Sequence, residues 1–496
     1  MKKTLSRRVV AWLSLLLLLA SVLPLYALSF YNHACYDDFG FSLLTRAAWQ
    51  NGEGLIGVLR AAWRNTVGIR QTWEGTYTSS FISALQPAIF GESLYWITTF
   101  LLLTVFLLSL WYFLRQALGG VLKADGPVIT AAVGLLGFVA VQFAPSAAEG
   151  FFWFNGGVAY TLMASLAMVW AGVWLRFERA GGARAGWLFA LLLPLTVAVG
   201  GAKYSTVLFA SLLAVGFTGW AFVAKRPKRW AFLALTLLLL ACFAFSVRAP
   251  GNAVRAQTLS GSMSAPKAVL EAVYFGLALM GNFFSLPLLT AVLVITALAL
   301  PALRKSDFRF AHPMWVTFIA AALFCAQLAP TLYTGNYLGD GRTVNTYWFT
   351  CVLTVCLLAL YWAGFLIKRF GSVAESAPDN RRVRLAPMLV AAMLLAVGCA
   401  GYRPDGAQSY GPQNMAGGSA LRAITTGEAA AYDRAMDERD ALLNDPAQLE
   451  VTLVPVADTP ACLMGDALLG NNVEYMLNLY AEYYHKSSVT LAGGEE

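Results

Sequence analysis

Charged residues are scarce in this chain of 496 residues. Only 12% of them are Asp, Glu, Lys or Arg, and 58% are hydrophobic. Soluble domains carry about 25% charged residues. A soluble protein of this length could not bury so much apolar surface, so lipid must surround most of the chain. The composition therefore predicts an all-α polytopic membrane protein.

The patterns that bind metals or nucleotides are also missing. The chain has three His and seven Cys, with no CxxC pair, so the sequence gives no support to a zinc site. No Gly-rich phosphate loop lies between the apolar runs, which disfavours a nucleotide-sugar donor. The net charge of +8 does not indicate nucleic acid, because the basic residues form short clusters between apolar segments.

Apolar runs of membrane-spanning length predict about eleven transmembrane helices. The first run follows four basic residues, continues to about Tyr31 and lacks an A-x-A cleavage site, so we expect an uncleaved helix. The long run at 273–301 contains Asn282 and Pro287, which predict a kink or break. The runs lie at 9–31, 92–114, 127–144, 157–175, 187–200, 204–223, 230–247, 273–301, 313–333, 346–367 and 386–402.

Basic residues fall mainly between alternate pairs of these runs. With the N-terminus in the cytoplasm, the short cytoplasmic segments hold 21 of the 35 Lys and Arg, and 22 of the 27 acidic residues lie outside. The positive-inside rule then predicts a cytoplasmic N-terminus and an external C-terminal tail. The expected location is the bacterial cytoplasmic membrane.

The sequence divides into a transmembrane module, 1–402, and an external C-terminal domain, 403–496. Within the module, residues 32–91 form a long external loop whose stretches 55–64 and 77–90 predict interfacial helices. In the tail, helical patterns at 428–444 and 472–485 flank a strand pattern at 449–456, which predicts a small α/β domain.

Two adjacent carboxylates, Asp37 and Asp38, open the long external loop. One interpretation is a solvated, helix-capping pair. The other is a general base or a metal ligand, since carboxylates beside a membrane are costly unless they are solvated or used. Adjacent side chains diverge, so we expect Asp38 to cap the following helix and Asp37 to face a substrate.

Further polar and aromatic residues cluster at the external mouths of the predicted helices. Glu149, Trp153, Asn155 and Tyr160 surround a glycine pair, a combination that suits sugar binding but is also typical of an interfacial aromatic belt. A weaker motif, Trp73-Glu74-Gly75, lies in the long loop.

Cations occur on this normally Arg-poor side as well. Lys203 either snorkels or pairs with an anion. Arg248 and Arg255 flank a Pro-Gly-Asn sequence, which predicts a turn that brings two guanidinium groups together, with Asn252 as a further substrate-binding candidate. Arg342 lies in a Gly-flanked loop. Guanidinium groups match phosphate oxygens, although anchoring to lipid headgroups explains each Arg equally well.

The order of these parts resembles the GT-C class of membrane glycosyltransferases, and more narrowly an uncharacterised family of bacterial multi-pass proteins placed near that class. The motifs that carry the resemblance are YDDF at 36–39, EGFFWFNGGVAY at 149–160, APGNAVR at 249–255 and Arg342. The resemblance implies a GT-C-like fold and a polyprenyl-phosphate-linked sugar donor. It also implies an acidic general base in the first external loop and inversion at the sugar.

We therefore expect a glycosyltransferase whose acceptor is an external glycan, lipid or protein, with membrane lipids as further partners. No cofactor is indicated, although the acidic pair leaves a divalent metal ion open. The alternatives are a transporter or flippase of a lipid-linked or anionic substrate, and a non-catalytic assembly protein. Transporters bind near the bilayer midplane, often in repeated halves, whereas the candidate residues here lie at one face and the sequence has no internal repeat.

Overall fold

The computed structural model describes residues 4–258, 263–335, 337–370, 382–404 and 406–492, and this part of the chain is almost wholly helical. The first half contains helices α1 (Arg7–Leu28), α2 (Asp37–Gln50), α3 (Gly54–Thr72), α4 (Tyr77–Ser83), α5 (Ile97–Leu114), α6 (Gly126–Gln142), α7 (Phe154–Gly157), α8 (Met163–Arg179), α9 (Gly182–Gly200), α10 (Tyr204–Val223) and α11 (Arg229–Val247).

The second half continues with ten more helices and contains most of the short strands. The helices are α12 (Pro250–Thr258), α13 (Ala265–Phe283), α14 (Leu286–Lys305), α15 (Pro313–Ala326), α16 (Ala329–Gly335), α17 (Gly341–Phe370), α18 (Leu385–Ala400), α19 (Ala416–Thr425), α20 (Glu428–Asn444) and α21 (Val473–Tyr484). The strands are β1 (Thr4–Ser6), β2 (Arg382–Arg384), β3 (Glu450–Leu453) and β4 (Ser488–Leu491).

Nine helical segments in the described ranges are long and apolar enough to cross a membrane. They are Arg7–Tyr31, Glu92–Val121, Phe154–Arg179, Gly182–Gly200, Tyr204–Val223, Arg229–Val247, Leu286–Lys305, Pro313–Gly335 and Gly341–Phe370. The other two predicted spans coincide with shorter apolar helices, α6 and α18. The chain is thus a multi-pass helical membrane protein, and the number eleven stays a prediction.

Helix α6 lies at the centre of the helix assembly and is buried along most of its length. It packs closely on α1, because a Cβ at Gly134 would stand 2.4 Å from the carbonyl carbon of Ser14. Glycine at this position lets the two backbones approach, as is common between membrane helices. At about 1.5 Å per residue, α6 is slightly shorter than a bilayer core, and its C-terminal end is buried whereas Gly126 at its start is exposed.

The predicted break within 273–301 is confirmed. Helix α13 ends at Phe283, Phe284 and Ser285 are extended, and α14 begins at Leu286 with Pro287 in its first turn. Proline suits this position because the first turn of a helix leaves its N–H groups unbonded. Only α14 of this pair is among the nine candidate spans.

One end of the helix assembly, here called the N-terminal face, carries the basic clusters. Strands β1 and β2 pair antiparallel there, with Thr4 opposite Arg384. Arg7 binds the Asp125 carboxylate, with Nη2 at 2.9 Å from Oδ1, and also donates to the Leu298 carbonyl. Lys228 donates to carbonyls at the C-terminal end of α8, where a cation is favoured by the helix dipole.

The opposite end, here called the loop face, carries residues 32–91 and the C-terminal segment. The stretch 55–64 belongs to the longer helix α3, and 77–90 forms α4 followed by a 3₁₀ turn at Pro87–Ile89. Leu55, Ile56 and Trp63 of α3 are exposed. Their position in the headgroup layer stays a prediction.

The helices and the strand predicted in the C-terminal segment are present as α20, α21 and β3, and β3 pairs with β4 in a parallel sheet. Helix α19 was not predicted. It packs against α1 so closely that a Cβ at Gly417 would lie 2.1 Å from the Ser21 carbonyl oxygen. The Gly417 N–H also donates to Gln142 Oε1 at 2.8 Å. The segment after residue 402 therefore shares one apolar core with α1 and α6.

Candidate functional site

The two adjacent carboxylates have different surroundings. Both lie in the first turn of α2, so the expected N-cap role of Asp38 is wrong, and Tyr36 precedes the helix. Asp38 is fully buried and accepts from the Tyr95 hydroxyl, from the Asn155 N–H at 2.9 Å and from the Cys35 N–H at 3.3 Å. Burial raises the pKa of Asp38 to about 7, although these donors oppose the rise. Asp38 therefore joins three segments of the loop face.

Asp37 is open to solvent on one side. The protein atoms that crowd its carboxylate raise the pKa of Asp37, whereas the cations of Arg342, Lys203 and Arg255 oppose the rise. These electrostatic effects place Asp37 near all three cations. The structure thus separates the pair into a buried carboxylate that ties segments together and an exposed one beside a charged group.

Glu74 connects two of these cations. It is 3% exposed, its carboxylate pairs with Lys203 through one oxygen, and Arg255 Nη1 lies 2.8 Å from the other oxygen. The Thr76 hydroxyl donates to it as well. Burial alone would raise the pKa of Glu74, but the ammonium and guanidinium groups outweigh it and lower the pKa to about 2. Glu74 is therefore ionised at neutral pH.

Two glycines allow the Glu74 loop to approach the end of α11 and the start of α12. A Cβ at Gly75 would lie 1.9 Å from the Ser246 carbonyl oxygen, and a Cβ at Gly251 would lie 2.4 Å from the Trp73 nitrogen. Asn252 fastens the same contact, because its Oδ1 accepts from the Tyr204 hydroxyl at 2.7 Å. Asn252 thus positions the backbone here, and close backbone contact explains both glycines.

A second ion-pair group forms where α17 begins. Arg342 Nη1 lies 2.7 Å from Glu149 Oε2, and Arg342 Nη2 lies 2.5 Å from Asp340 Oδ2. Glu149 belongs to a π-helical turn, Ala148–Phe152, and Tyr160 belongs to another, Val158–Leu162. Single π turns interrupt regular helices and often occur at functional sites.

Aromatic rings join the two ion-pair groups. The Arg342 guanidinium carbon lies 4.9 Å from the Trp153 ring centroid and 6.0 Å from that of Tyr160. Lys203 Nζ lies 5.8 Å from the same Tyr160 centroid. Because both cations lie near the Tyr160 ring, the distance from the Arg342 guanidinium carbon to Lys203 Nζ cannot exceed the sum of their distances to its centroid. The Arg255 guanidinium carbon lies 4.9 Å from the Trp73 ring. Such contacts are cation–π interactions.

The resulting charged cluster contains four carboxylates and three cations from six separate parts of the chain. Its members are Asp37, Glu74, Glu149, Lys203, Arg255, Asp340 and Arg342. Every cation expected to bind phosphate here already contacts a carboxylate. An incoming anion must therefore share these cations with Glu74 or Glu149.

Two buried donors beside the cluster lack a protein acceptor within the described ranges. They are Trp153 Nε1 and Asn155 Nδ2. Asn155 Oδ1, in contrast, accepts from the Ser83 hydroxyl at 2.9 Å. Buried donors are almost always hydrogen-bonded in folded proteins. A bound molecule could hydrogen-bond to these two donors only by displacing the protein atoms that now cover them.

Arg248 does not join the charged cluster. Residues 250–258 form helix α12 rather than the expected turn, because proline fits the first position of a helix. Arg248 is exposed at the end of α11, whereas Arg255 turns to Glu74. The two guanidinium groups that were expected at one point therefore have separate surroundings.

In the sequence, Glu74 lies in a weaker motif, whereas in the structure its carboxylate contacts two of the three cations. Its motif combines a carboxylate, aromatic residues and a glycine, as EGFFWFNGG at 149–157 does, and this shared composition was the available signal. Nothing in the sequence marked the Tyr95 hydroxyl as a partner of Asp38, because Tyr95 precedes an ordinary apolar run. One set of three potential metal ligands occurs in the described ranges, formed by His33, Asp433 and Asp437, and Asp37 is not part of it.

No protein-family model, curated protein or solved structure matches this chain. The geometry of the loop face is therefore the basis for inferring its function.

Proposed function

We propose that this protein is a membrane glycosyltransferase that moves a sugar from a polyprenyl-phosphate donor to an external glycan, lipid or protein acceptor. The observation that carries the proposal is the convergence of an exposed carboxylate, three cations and three aromatic rings at the loop face. The resemblance to the GT-C class supports the same proposal. A membrane location also supports it, because the proposed donor is amphiphilic.

Asp37 is the proposed general base. An acceptor hydroxyl attacks the anomeric carbon, its proton passes to the Asp37 carboxylate, and the bond between that carbon and the phosphate oxygen breaks. The polyprenyl phosphate leaves with an added negative charge. A raised pKa makes the Asp37 carboxylate a stronger base than an ordinary aspartate, which assists the proton transfer.

Lys203, Arg255 and Arg342 are the proposed partners of the leaving phosphate. Preorganised cations stabilise charge that develops in a transition state. Glu74 and Glu149 hold these cations in place before the donor binds, and they moderate the attraction so that the product phosphate can leave. The rings of Trp153 and Tyr160 are the proposed stacking surfaces for the sugar, and Asn155 is a further proposed contact.

One observation favours the alternative, a transporter or flippase. Transporters often bind substrates at broken helices, and the chain between α13 and α14 is extended at Phe284 and Ser285. The charged cluster, however, includes no residue of this break. The glycosyltransferase therefore remains the better proposal.

The test is transfer by the purified full-length chain in liposomes. The donors are radiolabelled polyprenyl-phosphate pentoses and hexoses, and the acceptor is the envelope glycan fraction from a strain that lacks the gene. We expect the radiolabel to appear in the glycan. We also expect mass spectrometry to show that the glycans of the strain lacking the gene are missing a sugar. Movement of the donor across the bilayer with no label in the glycan would contradict the enzyme and favour the flippase.

A further inference from the structure

We propose that Tyr475, on helix α21 of the C-terminal segment, positions the acceptor sugar beside Asp37. This inference rests on the proposed function and assigns the C-terminal segment a part in the same site.

Helix α21 is fixed to α2 by an aromatic contact. Phe39, two residues after Asp37, packs edge-on against Tyr480 and Tyr483, with ring centroids 5.0 and 4.9 Å apart. The Tyr483 hydroxyl also accepts from Gln86 Nε2 at 3.0 Å. Edge-to-face pairs of this kind add stability beyond the area that they bury. The two helices therefore hold their relative position without the help of a ligand.

This packing brings Tyr475 to the face of α2 that carries Asp37. A Cβ at Gly40 would lie 3.5 Å from the Tyr475 hydroxyl oxygen, and Gly40 is three residues after Asp37 on the same helix. Residues three apart lie on one helix face. Burial raises the pKa of Tyr475, and the negative charge of Asp37 adds to the rise, which agrees with their proximity.

Tyr475 differs from the other tyrosines of α21 in its exposure. It is 57% exposed, whereas Tyr480 and Tyr483 are buried in the contact with α2. A large ring left in solvent beside a carboxylate can stack on the apolar face of a sugar, and its hydroxyl can bond the sugar's edge. The protein leaves this surface of Tyr475 uncovered, so a ligand can pack against it.

The acceptor is the substrate that this position suits. A lipid-linked donor must reach the charged cluster from the membrane helices, which carry Lys203 and Arg342. Tyr475 belongs to the segment after the last apolar helix and approaches Asp37 through its contact with α2. A hydroxyl held against this ring would therefore lie beside the base, and no cation of the charged cluster belongs to that segment.

The test compares the kinetics of Tyr475→Ala, Tyr475→Phe and Tyr410→Ala in the transfer assay, with the same glycan fraction as acceptor. Tyr410 is the matched control, since it is equally exposed in the C-terminal segment and contacts Arg403. We expect Tyr475→Ala to raise the acceptor KM about tenfold, as for the loss of one stacking contact. The donor KM and kcat should change less than about twofold, and Tyr475→Phe should restore most of the binding.

Saturation-transfer NMR without donor measures binding of the same glycan fraction. This binding should weaken in Tyr475→Ala but not in Tyr475→Phe or Tyr410→Ala. An unchanged acceptor KM in a folded Tyr475→Ala protein would overturn the inference and leave the glycosyltransferase intact. A loss of activity in liposomes but not in detergent would also overturn it, because Tyr475 would then anchor the segment to lipid. If the wild-type protein transfers no sugar, the proposed function fails first.

Discussion

Asp37 and Asp38 are adjacent in sequence, yet only one has an environment suited to proton transfer. We predict that Asp37→Asn lowers turnover on the order of 10²-fold or more, because an amide cannot accept the proton. Asp38→Asn should retain turnover within several-fold. The Asn oxygen can still accept from the Asn155 N–H, and the Tyr95 hydroxyl can rotate to accept from the amide nitrogen, so two of the three contacts of this side chain are kept.

The transfer assay with both purified variants measures this difference. Asp38→Ala is the complementary change, since it leaves the Tyr95 hydroxyl and the Asn155 N–H without an acceptor. It should destabilise the protein by about 1–3 kcal/mol, seen as a lower Tm in detergent. Wild-type turnover in a folded Asp37→Asn protein would remove the base from the mechanism.

His33 predicts how stability depends on pH. This buried imidazole lies between Glu92, at 3.5 Å from Nδ1, and Asp433, at 3.0 Å from Nε2, with Asp437 nearby. Burial lowers the pKa of His33, but the two carboxylates outweigh this and raise it from 6.5 to about 9. The rise corresponds to at most about 3 kcal/mol of stabilisation. It is fully present below pH 6.5 and is lost as the pH rises through 9.

Melting curves between pH 6 and 10 test this dependence. The Tm of the wild-type protein should fall over that range more than the Tm of His33→Gln, which cannot carry the charge. His312→Gln is the control, since His312 is exposed before α15. Equal falls for all three proteins would show that His33 does not supply the dependence.

The residues of the candidate site were largely predictable because each is unusual where it stands. Lys203, Arg255 and Arg342 are cations on a side with few of them, and Glu149 lies beside a glycine pair. Their pairing was not predictable, because sequence spacing does not determine which carboxylate reaches which cation. Only the packing of α12 against the Glu74 loop brings Arg255 rather than Arg248 into the charged cluster.

Among the elements, the long helices were predictable from apolar runs, and the break before Pro287 was predictable from proline chemistry. Two elements were not. Helix α12 was expected to be a turn, because Pro-Gly-Asn suits a turn as well as a helix start. Helix α19, with the sequence AGGSALRAIT, buries a stripe of small residues, which are Ala416, Gly417, Ala420 and Ala423. Small residues are needed there because α19 packs closely against α1.

The contact between the Glu74 loop and the C-terminal end of α11 depends on Gly75. We predict that Gly75→Ala lowers turnover about 10²-fold, because a methyl group 1.9 Å from the Ser246 carbonyl oxygen must push the loop away. Gly68→Ala is the matched control on α3, where a Cβ meets open space. It should leave turnover unchanged and stabilise the helix by about 0.5–1 kcal/mol. Full activity in Gly75→Ala would indicate that the loop tolerates displacement.

For the whole molecule, the main prediction concerns orientation. The basic clusters at the N-terminal face predict that this face is cytoplasmic and that the charged cluster is external. An export-dependent phosphatase fused after residue 496 should be active, and a cytoplasm-dependent fluorescent protein at the same point should be dark. Insertion of each reporter after Lys225 should give the reverse result. An active cytoplasmic reporter at the C-terminus would place the cluster inside the cell and exclude a polyprenyl-phosphate donor used outside.

The β1–β2 pair has a consequence for synthesis of the chain. Thr4 is made first but pairs with Arg384, which the ribosome adds hundreds of residues later. At about 5–20 residues per second the interval is on the order of tens of seconds. During that time α1 occupies the membrane while its leading strand has no partner. Closure of the N-terminal face is therefore a late, post-insertion event that follows the arrival of α17.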